Sequence, residues 1–154
     1  MGLLSKRLQE LGIILPEAPK AVAAYVPARV AGSLCFTSGQ LPFREGKLVA
    51  EGKVGENVSL EDAQQAARQA ALNAISVAAA AVGDLDRLEA VIKVVGFVQS
   101  TPEFHDQPQV INGASWVLEE IFQENGRHAR SAVGTNALPL NAAVEVECIF
   151  LIRE

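Results

Sequence analysis

The chain has 154 residues, 49% of them hydrophobic and 20% charged, which suits one domain of ordinary size and excludes a chain disordered throughout. Its formal net charge of −5 argues against a non-specific nucleic-acid binder, whose affinity comes from a basic stripe. Aromatics are only 5% while alanine is abundant, so close helix–sheet contact through small residues is expected in place of a core of large rings.

Residues 1–21 read as an N-terminal extension. Within it 5–11 predicts a short helix with Leu8 and Leu11 on one side and Gly12 as its stop, followed by a linker around Pro16 and Pro19. Lys6, Arg7 and Glu10 precede any apolar run, which is not the pattern of a signal peptide, and no uncharged stretch reaches membrane-spanning length. The expected location is the cytoplasm.

Two strands, 22–30 and 34–38, follow as a hairpin around Ala31-Gly32-Ser33, with Pro27 marking the first as irregular or at an edge. A loop over 39–46 leads to a short extended segment at 47–51. Ser59, three residues before Asp62, opens the first long helix, and Gly83 closes it; Leu60, Ala63, Ala67, Ala70, Ala71, Ala74 and Ala78 form its broad apolar face. The valine- and isoleucine-rich run 88–98 is the clearest strand. Pro108 suits the first turn of a second helix reaching about 125–126, with Ile111, Ala114, Ser115, Leu118, Ile121 and Phe122 as its buried stripe and Asn112 and Trp116 on its flank. Segments 131–135 and 143–152 read as a final hairpin of strands joined by the loop through Leu138-Pro139.

This order predicts an α+β, two-layer domain with two helices on one face of a mixed sheet. In the last strand Val144, Val146, Cys148 and Phe150 point one way and Glu145, Glu147, Ile149 and Leu151 the other. The first set should face the helices. The second is too apolar for plain solvent and too charged for a dry core, which a second copy of the chain would reconcile.

The chemistry-bearing residues are few. Cys35 and Cys148 lack metal-ligand spacing and lie in apparent strands, as buried reduced thiols do. No metal cluster, phosphate loop or nucleophilic serine elbow is visible, and His105 and His128 read as loop residues. Arg130 lies at the start of a strand otherwise suited to a core. It fits either an ion pair that fixes the preceding loop or the capture of an anionic ligand by its planar fork. Glu145 fits either a base or water-positioning group or an ion-pair partner, a role open to Glu147 as well. Asn112 fits a plain helix-flank residue, and Tyr25, the one tyrosine, fits packing, an interface or ligand contact.

Taken together, Cys35-Phe36-Thr37-Ser38-Gly39-Gln40-Leu41-Pro42, Ala129-Arg130-Ser131, Leu138-Pro139 and Val144-Glu145-Val146-Glu147 resemble the reactive-intermediate deaminase family, also called the YjgF/YER057c/UK114 or L-PSP endoribonuclease family. The resemblance runs over residues 22–154. It implies a chorismate-mutase-like domain assembled as a homotrimer, with small-carboxylate clefts between subunits and no membrane or nucleic-acid partner. It implies hydrolysis of 2-imino or enamine acids, such as 2-aminoacrylate or 2-iminobutanoate, to a 2-keto acid and ammonia, without a cofactor or metal. Arg130 then falls on the residue that grips the substrate carboxylate and Glu145 on the one that activates water. Tyr25, Ser38, Gly39 and Asn112 fall on ligand-contacting positions. The chain departs from the family at Ala132, where a cysteine is common, at Ala23-Ala24 before the tyrosine, and in the basic stretch Gly126-Arg127-His128. These departures admit a second expectation, a non-catalytic or differently specific carboxylate-binding trimer. No histidine pair or carboxylate cluster suits phosphodiester cleavage.

Overall fold

The computed structural model describes residues 1–20 and 24–154. Helix α1 spans Leu3–Leu11; β1 (Ala28–Ala31), β2 (Leu34–Thr37), β3 (Phe43–Arg44) and β4 (Lys47–Leu48) follow. Helix α2 (Leu60–Val82) precedes β5 (Leu88–Gln99), helix α3 (Gln107–Phe122), β6 (Ala129–Thr135) and β7 (Val144–Ile152). Five strands form one mixed sheet in the order β1-β2-β7-β5-β6, and β3 and β4 form a separate small hairpin. Helices α2 and α3 pack side by side on one face of the large sheet, the two-layer α+β architecture expected from the element order.

Small residues let the layers approach. Ala63, Ala66, Ala67, Ala70, Ala71, Ala74 and Ala78 of α2 are completely buried. A Cβ on Gly113 of α3 would collide with the backbone carbonyl of Gln64, and one on Gly96 of β5 would meet Ile111. The larger payload comes from Ile75, Ile111, Leu118 and Phe150, each fully buried and worth about 1.5–3 kcal/mol. Helix α2 begins where expected: Ser59 Oγ accepts from the Asp62 amide at 3.1 Å, and Gly83 closes the helix in the left-handed region. Cys35 and Cys148 are both buried and unbonded to each other, and burial raises both thiol pKa values.

Three elements differ from expectation. The strand expected from residue 22 begins only at Ala28. Positions 22 and 23 lie outside the described residues, and Ala24 to Pro27 form a turn, because proline cannot extend the ladder. The extended segment at 47–51 shrinks to Lys47–Leu48, paired with Phe43–Arg44 across a turn at Glu45-Gly46 with both φ values positive. The largest correction concerns the C-terminal strands. They are not a hairpin: β6 runs parallel to β5, which lies between β6 and β7. Helix α3 is the crossover of that parallel unit.

The alternation of β7 is as read. Val144, Val146, Cys148 and Phe150 are buried under the helices, and Glu145, Glu147, Ile149 and Leu151 are half-buried on the open face. Register puts Phe36, Ile149 and Lys93 in one row of that face, Glu147, Val95 and Ser131 in the next, and Glu145, Phe97 and Val133 in the third. A register shift between Val91 and Lys93 lets both Val91 and Val94 face the helices, two inward residues separated by two others where strict alternation allows one.

Helix α1 joins the same core through Leu4 and Leu8 and contacts α3. Its first turn is capped from far away in sequence. Asp86 accepts from the Gly2 amide (2.9 Å), the Ser5 amide (2.8 Å) and Ser5 Oγ (2.6 Å). Burial opposes ionisation of Asp86, but the hydrogen bonds from Ser5 and Gly2 outweigh it and hold the carboxyl below its usual range. The attachment is therefore complete above the ordinary carboxylate range and is lost only as pH falls through the depressed value. Asp86→Ala is expected to cost about 1–2 kcal/mol. It should also accelerate amide exchange across α1 well before global unfolding; unchanged exchange there would show that Leu4 and Leu8 alone hold the helix.

Candidate functional site

The sequence-predicted site residues gather into two clusters on opposite faces of the sheet. The first surrounds Glu145. After Phe36, which pairs with Ile149, the chain leaves the ladder and returns at Gln40, which pairs with Val146. Residues 37–39 thus oppose only 147 and 148, so one residue is extra and the strand bulges. Thr37 Oγ1 accepts the Cys148 amide that the ladder would otherwise have paired, at 3.0 Å. The bulge carries Gly39 over Glu145 so closely that any Cβ there would collide with Glu145 Oε1. Burial first, and the neighbouring charge of Glu147 second, raise the Glu145 carboxyl pKa above its ordinary value.

Ser38 acts within this cluster as a brace. Its Oγ donates to the Val26 carbonyl at 2.7 Å, and its amide donates to the Pro27 carbonyl at 2.8 Å. These bonds tie down the turn carrying Tyr25, a residue 63% exposed. Tyr25 and Gly39 both border a cavity of about 800 Å³ floored by Gln69, Asn73 and Ser76 of α2. The loop through Leu138-Pro139 that leads into β7 is organised by Gln99. Its Nε2 donates to the Gly52 carbonyl and to Asn141 Oδ1, and its Oε1 accepts from the Leu138 amide. Gln99 was invisible to sequence reasoning; a lone glutamine closing an apolar strand was the available signal.

The second cluster surrounds Arg130. Arg130 pairs in register with the buried Val94, so its side chain enters the helix layer at the edge strand. Nη1 donates to Asn112 Oδ1 (2.8 Å) and to Ser115 Oγ (3.1 Å), both on α3. Ser115 also meets His128 Nε2 at 2.9 Å, and His128 Nδ1 lies 2.6 Å from the Gly126 carbonyl. Ser115 was read as part of a buried apolar stripe and His128 as a plain loop residue; the structure draws both into the arginine's surroundings. Arg130 is half-buried, and no carboxylate pairs with it among the described residues. The loop-fixing ion pair considered for it is therefore not formed.

Within one chain Arg130 and Glu145 do not meet. Glu145 shares the open face with Phe97, Arg130 shares the helix face with Val94, and β5 separates their strands by about 10 Å. The structure brings together Glu145 and Gly39, Ser38 with the Tyr25 turn, and Arg130 with Asn112.

The comparisons agree with this architecture. The family model described as "YjgF/chorismate_mutase-like, putative endoribonuclease" matches residues 5–152. Protein TCP17 of Trypanosoma cruzi is 42% identical over 149 residues, covering 96% of this chain and 93% of its own. The 2-iminobutanoate/2-iminopropanoate deaminase of Salmonella typhimurium is 31% identical over 146 residues, with 92% and 97% covered. The crystal structure of Atu1372 from Agrobacterium tumefaciens, a protein of unknown function, superposes with a TM-score of 0.90 at 46% identity, covering 98% of this chain and 93% of that one. With a chorismate-mutase-like sheet, a family model spanning nearly its whole length and relatives matched end to end, the chain belongs to the YjgF/RidA family.

Proposed function

We propose that the protein is a hydrolytic deaminase of small 2-imino or enamine acids, releasing a 2-keto acid and ammonia from clefts between copies of the chain in a homotrimer. The observation that carries this reading is the half-buried guanidinium of Arg130, held by two neutral acceptors and matched by no carboxylate among the described residues. A partly desolvated charge left in this state calls for an anion from outside the chain, and a planar fork suits a carboxylate. The deaminase activity of the Salmonella relative supports the reaction class. The apolar and carboxylate-bearing open face of the sheet supports self-association, which would let Glu145 of one copy approach Arg130 of another.

The chemistry needs little. The iminium carbon of the substrate is already electrophilic, so the site has to hold the carboxylate, deliver water and move protons. Arg130 holds the carboxylate. Glu145 takes a proton from water as its oxygen bonds to C2, giving a carbinolamine. Return of that proton to nitrogen lets the C–N bond break and ammonia leave; a lone pair on the hydroxyl oxygen closes the carbonyl, and Glu145, again ionised, takes the hydroxyl proton and passes it to the departing ammonia, giving ammonium. Asn112 and the Gly39 backbone flank the ligand, and Tyr25, braced through Ser38, lies at the mouth.

One observation favours a second reading, a trimer that binds a carboxylate without turnover or takes a different acid. Ala132 stands on the same face as Arg130, two residues on, where the family often carries a thiol. Ammonia release from freshly generated 2-aminoacrylate separates the two. Release above the spontaneous rate is expected; none, with calorimetric binding of 2-oxobutanoate retained, would leave only the binder.

A further inference from the structure

Ser115 and His128 have no part in the deaminase reading, yet they sit in an ordered chain that ends on its arginine. The direction of that chain follows from hydrogen-bond chemistry. The Gly126 carbonyl can only accept, so His128 Nδ1, 2.6 Å away, carries the ring proton. In the neutral ring Nε2 is then a bare acceptor, and Ser115 Oγ at 2.9 Å donates to it. With its hydrogen committed, the Ser115 oxygen presents lone pairs to Arg130 Nη1 at 3.1 Å. The anchor is fixed as well: Gly126 is buried, and a Cβ there would strike the backbone of Leu118 and Glu119, so the turn is seated on α3.

We infer that Ser115 and His128 form a positioning relay that sets the orientation of the Arg130 guanidinium for carboxylate capture. Asn112 and Ser115 use both hydrogens of Nη1, which fixes the plane of the group. The edge formed by Nε and Nη2 has no partner among the described residues and is the side-on fork that binds a carboxylate in bidentate fashion. The relay thus selects which edge of the arginine is offered. The inference rests on Arg130 being the carboxylate-binding group of the proposed function.

The test uses the intact protein with 2-iminobutanoate as substrate and 15N NMR of the histidine ring. Ser115→Ala and His128→Leu are expected to raise KM about tenfold with kcat within about twofold, as for loss of a hydrogen bond to a charged group that binds substrate and transition state alike. His128→Gln, whose amide oxygen can accept the Ser115 hydroxyl, should restore most of the affinity. The spectrum should show a protonated Nδ1 and a bare Nε2. Unmoved KM in Ser115→Ala and His128→Leu alongside a raised KM in Arg130→Ala would overturn the relay alone, as would the opposite tautomer. An unmoved KM in Arg130→Ala would overturn the carboxylate-binding role itself and the relay with it.

Discussion

Replacing Arg130 by alanine lowers kcat/KM for 2-iminobutanoate about a hundredfold, chiefly through KM. The magnitude follows from losing two charge-assisted hydrogen bonds to the substrate carboxylate, each worth about 1.5–3 kcal/mol, offset in part by water. Arg130→Lys recovers only part, because a point charge lacks the planar fork and cannot satisfy Asn112 and Ser115 while gripping a ligand. Asn112 and Ser115 are themselves left with unmatched acceptors in the alanine variant, so its Tm should be measured alongside. A kcat/KM equal to that of the unmodified protein would end the assignment of Arg130.

Replacing Glu145 by glutamine lowers turnover about 10²–10⁴-fold while leaving carboxylate binding in place, the expected loss for a removed general base. The pH profile carries the sharper signature. Burial and then Glu147 raise the Glu145 pKa above its ordinary value of 4.5. Activity, which needs the ionised form, should therefore fall with acid at a pH above the ordinary glutamate range. Glu147→Gln removes the second cause, so that limb should move to lower pH. A limb that ignores Glu147 and survives Glu145→Gln would belong to another group.

The two variants together probe the assembly. Arg130 and Glu145 lie on opposite faces of one sheet, so a site that needs both must draw them from different copies. Co-expressed in equal amounts and assayed at substrate well below KM, the two impaired chains should regain about a quarter of full activity, since about that share of random interfaces unites an intact arginine with an intact glutamate.

How much of this was legible in the sequence depends on how local the cause is. The β7 alternation, the Ser59 cap and the alanine face of α2 are set by neighbours within one or two turns, and they were read correctly. The pairing of β6 with β5 was not, because a short loop between strands suggests a hairpin and nothing local reveals that an earlier strand lies between them. The same limit hid the Arg130 surroundings. Ser115 fits the apolar period of α3 closely enough to pass as core, and only the fold brings His128 back against it. The extra residue at 37–39 was likewise hidden, although Gly39 itself was singled out, because a bulge exists only relative to its partner strand.

The central place of β7 has a consequence for how the protein is made. It joins the β1–β2 hairpin to the β5–α3–β6 unit, and it follows both of them in the chain. While the ribosome is still holding residues 144–152, the nascent chain carries two half-sheets with open edges facing an empty slot. Long-range strand pairing of this kind is slow and exposes apolar edges while it waits. The sheet therefore closes only once residues 144–152 are available, and until then its two halves keep unpaired apolar edges exposed.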